Sequence, residues 1–155
     1  MSLSGESPQD RTSNHLPATL SSESGPDHSI DQKSLALLTS GPQLTPQLIK
    51  TLCKQQNLYQ TPHLNDKLYL HHKGLRTIDT GALLPYANLR ALWLEGNALK
   101  SLGGSLSHLN QLRCLYVHQN LLTKVEGLEG LPELVTLNLS QNSISAIEED
   151  SLSKW

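Results

Sequence analysis

LRALWLEGNALKSL from Leu89, LRCLYVHQNLLTKV from Leu112 and LVTLNLSQNSISAI from Leu134 are three copies of one pattern. Each fits L-x-x-L-x-L-x-x-N-x-L-x-x-L, with Val117, Val125, Ile144 and Ile147 standing at leucine positions. The asparagines set the period, since Asn97 to Asn120 is 23 residues and Asn120 to Asn142 is 22. Three copies in register at nearly constant spacing make a strong repeat signal. The L-x-L centre of each copy reads as a short strand, its leucines on one face and the intervening residue on the other. One copy cannot bury its leucines alone. Stacked copies close a continuous apolar core and pair their strands into a parallel sheet.

This template is that of the leucine-rich repeat. The expected fold class is therefore α/β, a leucine-rich-repeat solenoid with a short curved parallel sheet. An asparagine inside such a stack must satisfy its amide. Asn97, Asn120 and Asn142 are expected to hydrogen-bond backbone groups in the turn leaving each strand, as a structural ladder along the solenoid.

Working outward, Asn65 to Ile78 (NDKLYLHHKGLRTI) is a degenerate first repeat. Asn65 stands in the first leucine position and Lys73 in the ladder position. Upstream of it, Thr45-Pro46 is a helix start, a threonine N-cap followed by proline at the first helical position. Leu48, Ile49, Leu52 and Cys53 follow at helical spacing, which predicts an amphipathic helix over about 46–56. Its expected job is to cap the first strand edge and the open core, with Cys53 as a core residue. Residues 1–44 are rich in Ser, Thr, Pro and Gly, and are expected to be a disordered tail. The run Leu35 to Leu38 is its short apolar exception. The organisation is thus a tail at 1–44, a helical cap at 45–63, and about four repeats at 64–155. The last strand, near Thr136 to Leu139, has no following repeat and no C-terminal cap. The expectation is that the chain is a fragment of something longer.

Composition narrows function. Net charge is −2, so no basic field attracts nucleic acid or an anionic membrane. No apolar run approaches the ~18 residues of a membrane helix, and the N-terminus has no signal-peptide pattern. The two cysteines, Cys53 and Cys114, make no disulfide framework. No nucleophile elbow, phosphate loop or zinc-protease motif is present. The chain is expected to be no enzyme and to need no cofactor or small-molecule substrate.

What remains is the face opposite the leucines, the concave side of the arc. Aligning the registers puts Tyr69, Trp93, Tyr116 and Asn138 in one column. Tyr and Trp are enriched at interface hot spots, and three of the six such residues lie here. The competing explanation is that the rings only pack on one another along the ladder. The next column holds His71, Glu95, His118 and Ser140. The residue types match those of a catalytic zinc site, but His71 and His118 are two strands apart, about 10 Å. That distance favours a polar, pH-sensitive rim of a protein-binding face over a metal site. Arg90 and Arg113 share a further column and could engage an acidic segment, or be a solvated face. The protein-binding candidates are therefore Tyr69, His71, Arg90, Trp93, Glu95, Arg113, Tyr116 and His118.

The segment Thr45 to Asp79 (TPQLIKTLCKQQNLYQTPHLNDKLYLHHKGLRTID) resembles the cap and first repeat of the leucine-rich-repeat dynein axonemal assembly factor family. LRALWLEGNALKSL, LRCLYVHQNLLTKVEGLEGL and LNLSQNSISAIE are similar to its following repeats. The resemblance covers Thr45 to Glu148. It implies a non-enzymatic protein-interaction scaffold in cytoplasmic preassembly of axonemal dynein arms, found in cytoplasm and cilia. Its partners would be dynein chains or assembly factors and chaperones. The sequence departs from the family pattern in returning through LGGSLSHL after the second repeat, and in lacking later repeats. Related short-repeat proteins suggest an alternative role as a protein phosphatase regulatory subunit.

Overall fold

Each L-x-L triplet forms a strand because its leucines are driven inward while the residue between them points out. The computed structural model describes residues 41–153. The elements are β1 (Gln43–Leu44), α1 (Pro46–Gln55), a 3-10 turn (Pro62–Leu64), β2 (Lys67–Tyr69), β3 (Thr77–Ile78), β4 (Ala91–Trp93), β5 (Cys114–Tyr116), β6 (Lys124–Val125), β7 (Thr136–Asn138) and β8 (Ala146–Ile147). The main sheet is parallel in the order β2-β4-β5-β7. Leu68, Leu92, Leu115 and Leu137 stand opposite one another along it. The first three are fully buried, and Leu137 packs partly buried against the same core. Two short parallel pairs, β1-β3 and β6-β8, lie on the flank that follows the turns. This is the repeat solenoid that the leucine pattern predicts.

The asparagines join neighbouring turns. Asn97 Oδ1 accepts from the backbone N–H of Lys73 (2.9 Å) and Leu75 (3.0 Å) in the preceding repeat. Its Nδ2 donates to Leu70 O in that repeat and to Leu94 O in its own. Asn120 likewise accepts from Leu99 N and donates to Leu94 O and Val117 O. Asn142 accepts from Leu122 N and donates to Val117 O and Leu139 O. Each amide thus closes its own turn and ties it to the one before.

The residue just before the ladder position carries a constraint that the leucine template does not show. His72, Gly96, Gln119 and Gln141 occupy this place, and all four have positive φ, between 51° and 67°. Three of them are not glycine, and a side chain there costs about 1–2 kcal/mol. The asparagine bonds on either side hold the turn in that conformation.

The N-terminal cap is built as the Thr45-Pro46 signal indicates. The Thr45 hydroxyl accepts from Leu48 N at 3.2 Å, and Ile49, Leu52 and Cys53 are buried. Just beyond the helix, Gln56 donates its amide to Tyr69 O at 2.7 Å, covering part of the β2 edge. The disordered tail expected at 1–44 lies, for residues 1–40, outside the described residues. Its last two positions differ from that expectation. Gln43–Leu44 form β1, and Leu44 is fully buried, because pairing with β3 supplies backbone partners and a place for the leucine. Asn65 is also more than a degenerate leucine. It is 2% exposed, accepts from Tyr59 N, and donates to Tyr59 O and Thr61 O. A polar residue in the core position thereby pins the loop that joins the cap to the first repeat.

Three outcomes are expected. Asn120→Ala strands buried backbone groups in two turns and should lower stability by about 2–4 kcal/mol, read as a reduced urea midpoint. Gln119→Gly relieves the left-handed strain at an exposed position and should raise stability by about 0.5–1 kcal/mol in the same measurement. Burial raises the Cys53 thiol pKa, against a smaller opposing effect of the Tyr86 hydroxyl that hydrogen-bonds it. Cys53 should therefore react with a thiol reagent only on unfolding, while the half-buried Cys114 should label in the folded chain.

Candidate functional site

The sheet register fixes the outward face of β2, β4, β5 and β7. Tyr69, Trp93, Tyr116 and Asn138 are direct cross-strand partners. The Tyr69 and Trp93 rings stack with centroids 4.7 Å apart and planes at 30°. Trp93 and Tyr116 stack at 5.3 Å and 19°. These separations match the strand spacing of about 4.8 Å, so the backbone ladder sets the stacking distance. All three rings are half-buried, each leaving part of its surface to solvent. Stacking therefore covers both faces of Trp93 and one face of each tyrosine, worth about 0.5–1.5 kcal/mol per pair, and each ring still leaves part of its surface to solvent. The stripe stops at Asn138, whose Oδ1 accepts from Ser140 N and from Ser140 Oγ.

Beside the stripe, His71 Nδ1 lies 3.9 Å from Glu95 Oε1. The Glu95 side chain is only 15% exposed, yet its Oε2 has no hydrogen-bond partner. Nδ1 of His71 and Nδ1 of His118 are likewise buried without a partner. Three desolvated polar atoms, each without a hydrogen-bond partner, thus lie beside the aromatic surface. Among the described residues no group of three or more His, Cys, Asp or Glu is arranged to hold a metal ion. No helix of the described residues is long and apolar enough to cross a membrane.

Arg90 and Arg113 are placed elsewhere. They follow one another at the entrance to their strands, where Arg113 N donates to Arg90 O at 2.8 Å. Both are exposed, and with Asn110, Gln111 and Glu133 they line a shallow depression. The structure therefore brings Tyr69, Trp93, Tyr116, His71, Glu95 and His118 onto one patch and sets the two arginines at its margin. The lone polar atoms of that patch were invisible in the sequence, because they depend on which neighbours the side chains fail to reach.

Comparison with known proteins agrees with the repeat fold. Residues 110–154 match the family model described as Leucine Rich repeats (2 copies). The chain is 52% identical over 56 residues to the dynein axonemal assembly factor 1 homolog of Drosophila melanogaster, covering 36% of this chain and 4% of that protein. It is 44% identical over 86 residues to dynein axonemal assembly factor 1 of Rattus norvegicus, covering 50% of this chain and 13% of that protein. The Mus musculus protein of the same name is 54% identical over 54 residues, 35% of this chain and 8% of its own length. The chain thus spans a small part of the curated relatives it matches. Its fold is that of a leucine-rich-repeat protein, and in sequence it is similar, over about a third to a half of its length, to the dynein axonemal assembly factor 1 proteins.

Proposed function

We propose that this chain is the repeat portion of a non-enzymatic scaffold that binds proteins during cytoplasmic preassembly of axonemal dynein arms in ciliated cells. The names of its relatives support the process. The observation that carries the binding role is the Tyr69-Trp93-Tyr116 stripe, three stacked and half-exposed rings bordered by polar atoms without partners. Amphipathic rings on a rigid backbone lose little entropy on binding, and a desolvated polar border fixes the orientation of what they bind. The partner in this proposal is a dynein chain or a cofactor of its assembly. The His71-Glu95-His118 border supplies hydrogen bonds, and Arg90 and Arg113 offer a separate cationic margin to an acidic part of the same partner.

The test is capture of dynein chains and assembly factors from ciliating cells by the wild-type chain and by Trp93→Ala/Tyr116→Ala. Loss of two hot-spot rings should weaken binding by roughly 30-fold or more. Far-UV circular dichroism and the urea midpoint of the same variant separate loss of the surface from loss of the fold. Unchanged capture by a folded variant would remove the stripe as the site. Copurification with a phosphatase catalytic subunit in place of dynein intermediates would replace the assembly role with a regulatory one.

A further inference from the structure

The flank that follows the turns carries a break. In the repeat template Ser101–Leu102 stand where β3 stands in the first repeat and β6 in the third, yet they belong to no strand. β3 pairs with β1 and β6 with β8, so the flanking ladder is interrupted between them. The return of the second repeat is drawn towards the third. The Ser101 hydroxyl donates to the Glu126 carboxylate, which pairs with Lys124 at 2.6 Å, and Gly103 N donates to Ser101 Oγ at 3.0 Å. The Gly103 carbonyl also fills the space that a Cβ on Gly127 would need, so the two returns meet backbone to backbone. Towards the first repeat, Ala98 N donates to Leu75 O at 2.8 Å, and beyond that bond the two turns part.

A groove of about 660 Å³ opens where they part. Ile78, Ala98, Leu102 and Leu121 give it apolar walls, and Leu121 is 46% exposed. The charged residues that line it are Arg76 and Lys100, both cations, on a chain of net charge −2. Lys100 is exposed and forms no ion pair among the described residues. Among those residues β3 pairs with β1 alone, so its other edge borders the groove. Asp79 N donates to Leu44 O beside β1, and the alternation along a strand turns the Ile78 N–H to that other edge.

The site offers an occupant main-chain bonds, an apolar trough and positive charge at once. A helix would leave the strand edge unused, and a small apolar molecule would leave both the edge and the cations unused. An extended peptide whose apolar residues alternate with aspartate or glutamate uses all three. We propose that this groove binds an acidic, extended segment of a partner protein as a strand added to β3. Alternate leucine or valine side chains enter the trough, and the carboxylates between them face Lys100 and Arg76. The groove shares no residue with the Tyr69-Trp93-Tyr116 stripe, so it is a second docking site, independent of the first.

The test selects a phage-displayed library of random heptapeptides against the full chain. Enrichment of leucine or valine alternating with aspartate or glutamate is expected. The strongest selected peptide is then made synthetically, labelled, and titrated by fluorescence anisotropy. Lys100→Glu should weaken its binding by about tenfold or more, while Trp93→Ala/Tyr116→Ala should leave it unchanged. Lys100 is exposed, and an unchanged urea midpoint shows that its variant keeps the fold. At saturating peptide the Ile78 amide should exchange about tenfold more slowly, with that of Leu92 unaffected. No enrichment, selection of basic or uncharged peptides, equal binding by Lys100→Glu, or an Ile78 amide left unprotected overturns the proposal. So does a free chain that sediments as a dimer with Ile78 already protected, which would give the groove to a second copy.

Discussion

One side-chain amide facing two turns at once is the interaction on which the rest depends. Stacked leucines drive the turns together, but apolar burial has no direction and would tolerate slippage. The carboxamides of Asn97, Asn120 and Asn142 remove that freedom. Each accepts from an N–H in the preceding turn and donates to carbonyls in both turns. A shift of one residue would leave those buried groups unpaired, at about 1–3 kcal/mol each. The left-handed residues at 96, 119 and 141 are the cost of presenting the asparagine in this way.

Register in turn makes the proposed binding surface. Because Leu92 and Leu115 are aligned, Trp93 and Tyr116 are aligned as well, and the rings stack without any further device. The same alignment places Glu95 between His71 and His118, short of a full hydrogen-bond set. The face is therefore a by-product of core order. Sequence variation at the outward positions can change what is bound with little effect on the scaffold.

Much of this was legible in the sequence because the pattern is periodic. The strands, their pairing, the aromatic column and the Thr45-capped helix all follow from spacing and side-chain type. The parts that were not legible are those where a residue acts through a partner distant in sequence. Leu44 looks like the end of a polar tail until β3 pairs with it. Asn65 looks like a failed leucine until Tyr59 and Thr61 appear as its partners. Gln119 and His72 carry no glycine to announce a left-handed turn. The depression that Arg90 and Arg113 line with Asn110, Gln111 and Glu133 is not written in the template.

The stacked column also makes the molecule its own optical probe. Trp93 is the one tryptophan among the described residues, and it lies between two tyrosines at 4.7 and 5.3 Å. Light absorbed by either phenol at such distances passes to the indole, so emission arises from the middle of the stripe. Water at the exposed ring edge sets the colour of that emission. A molecule settling on this face would displace the water and shift the spectrum, with no label attached.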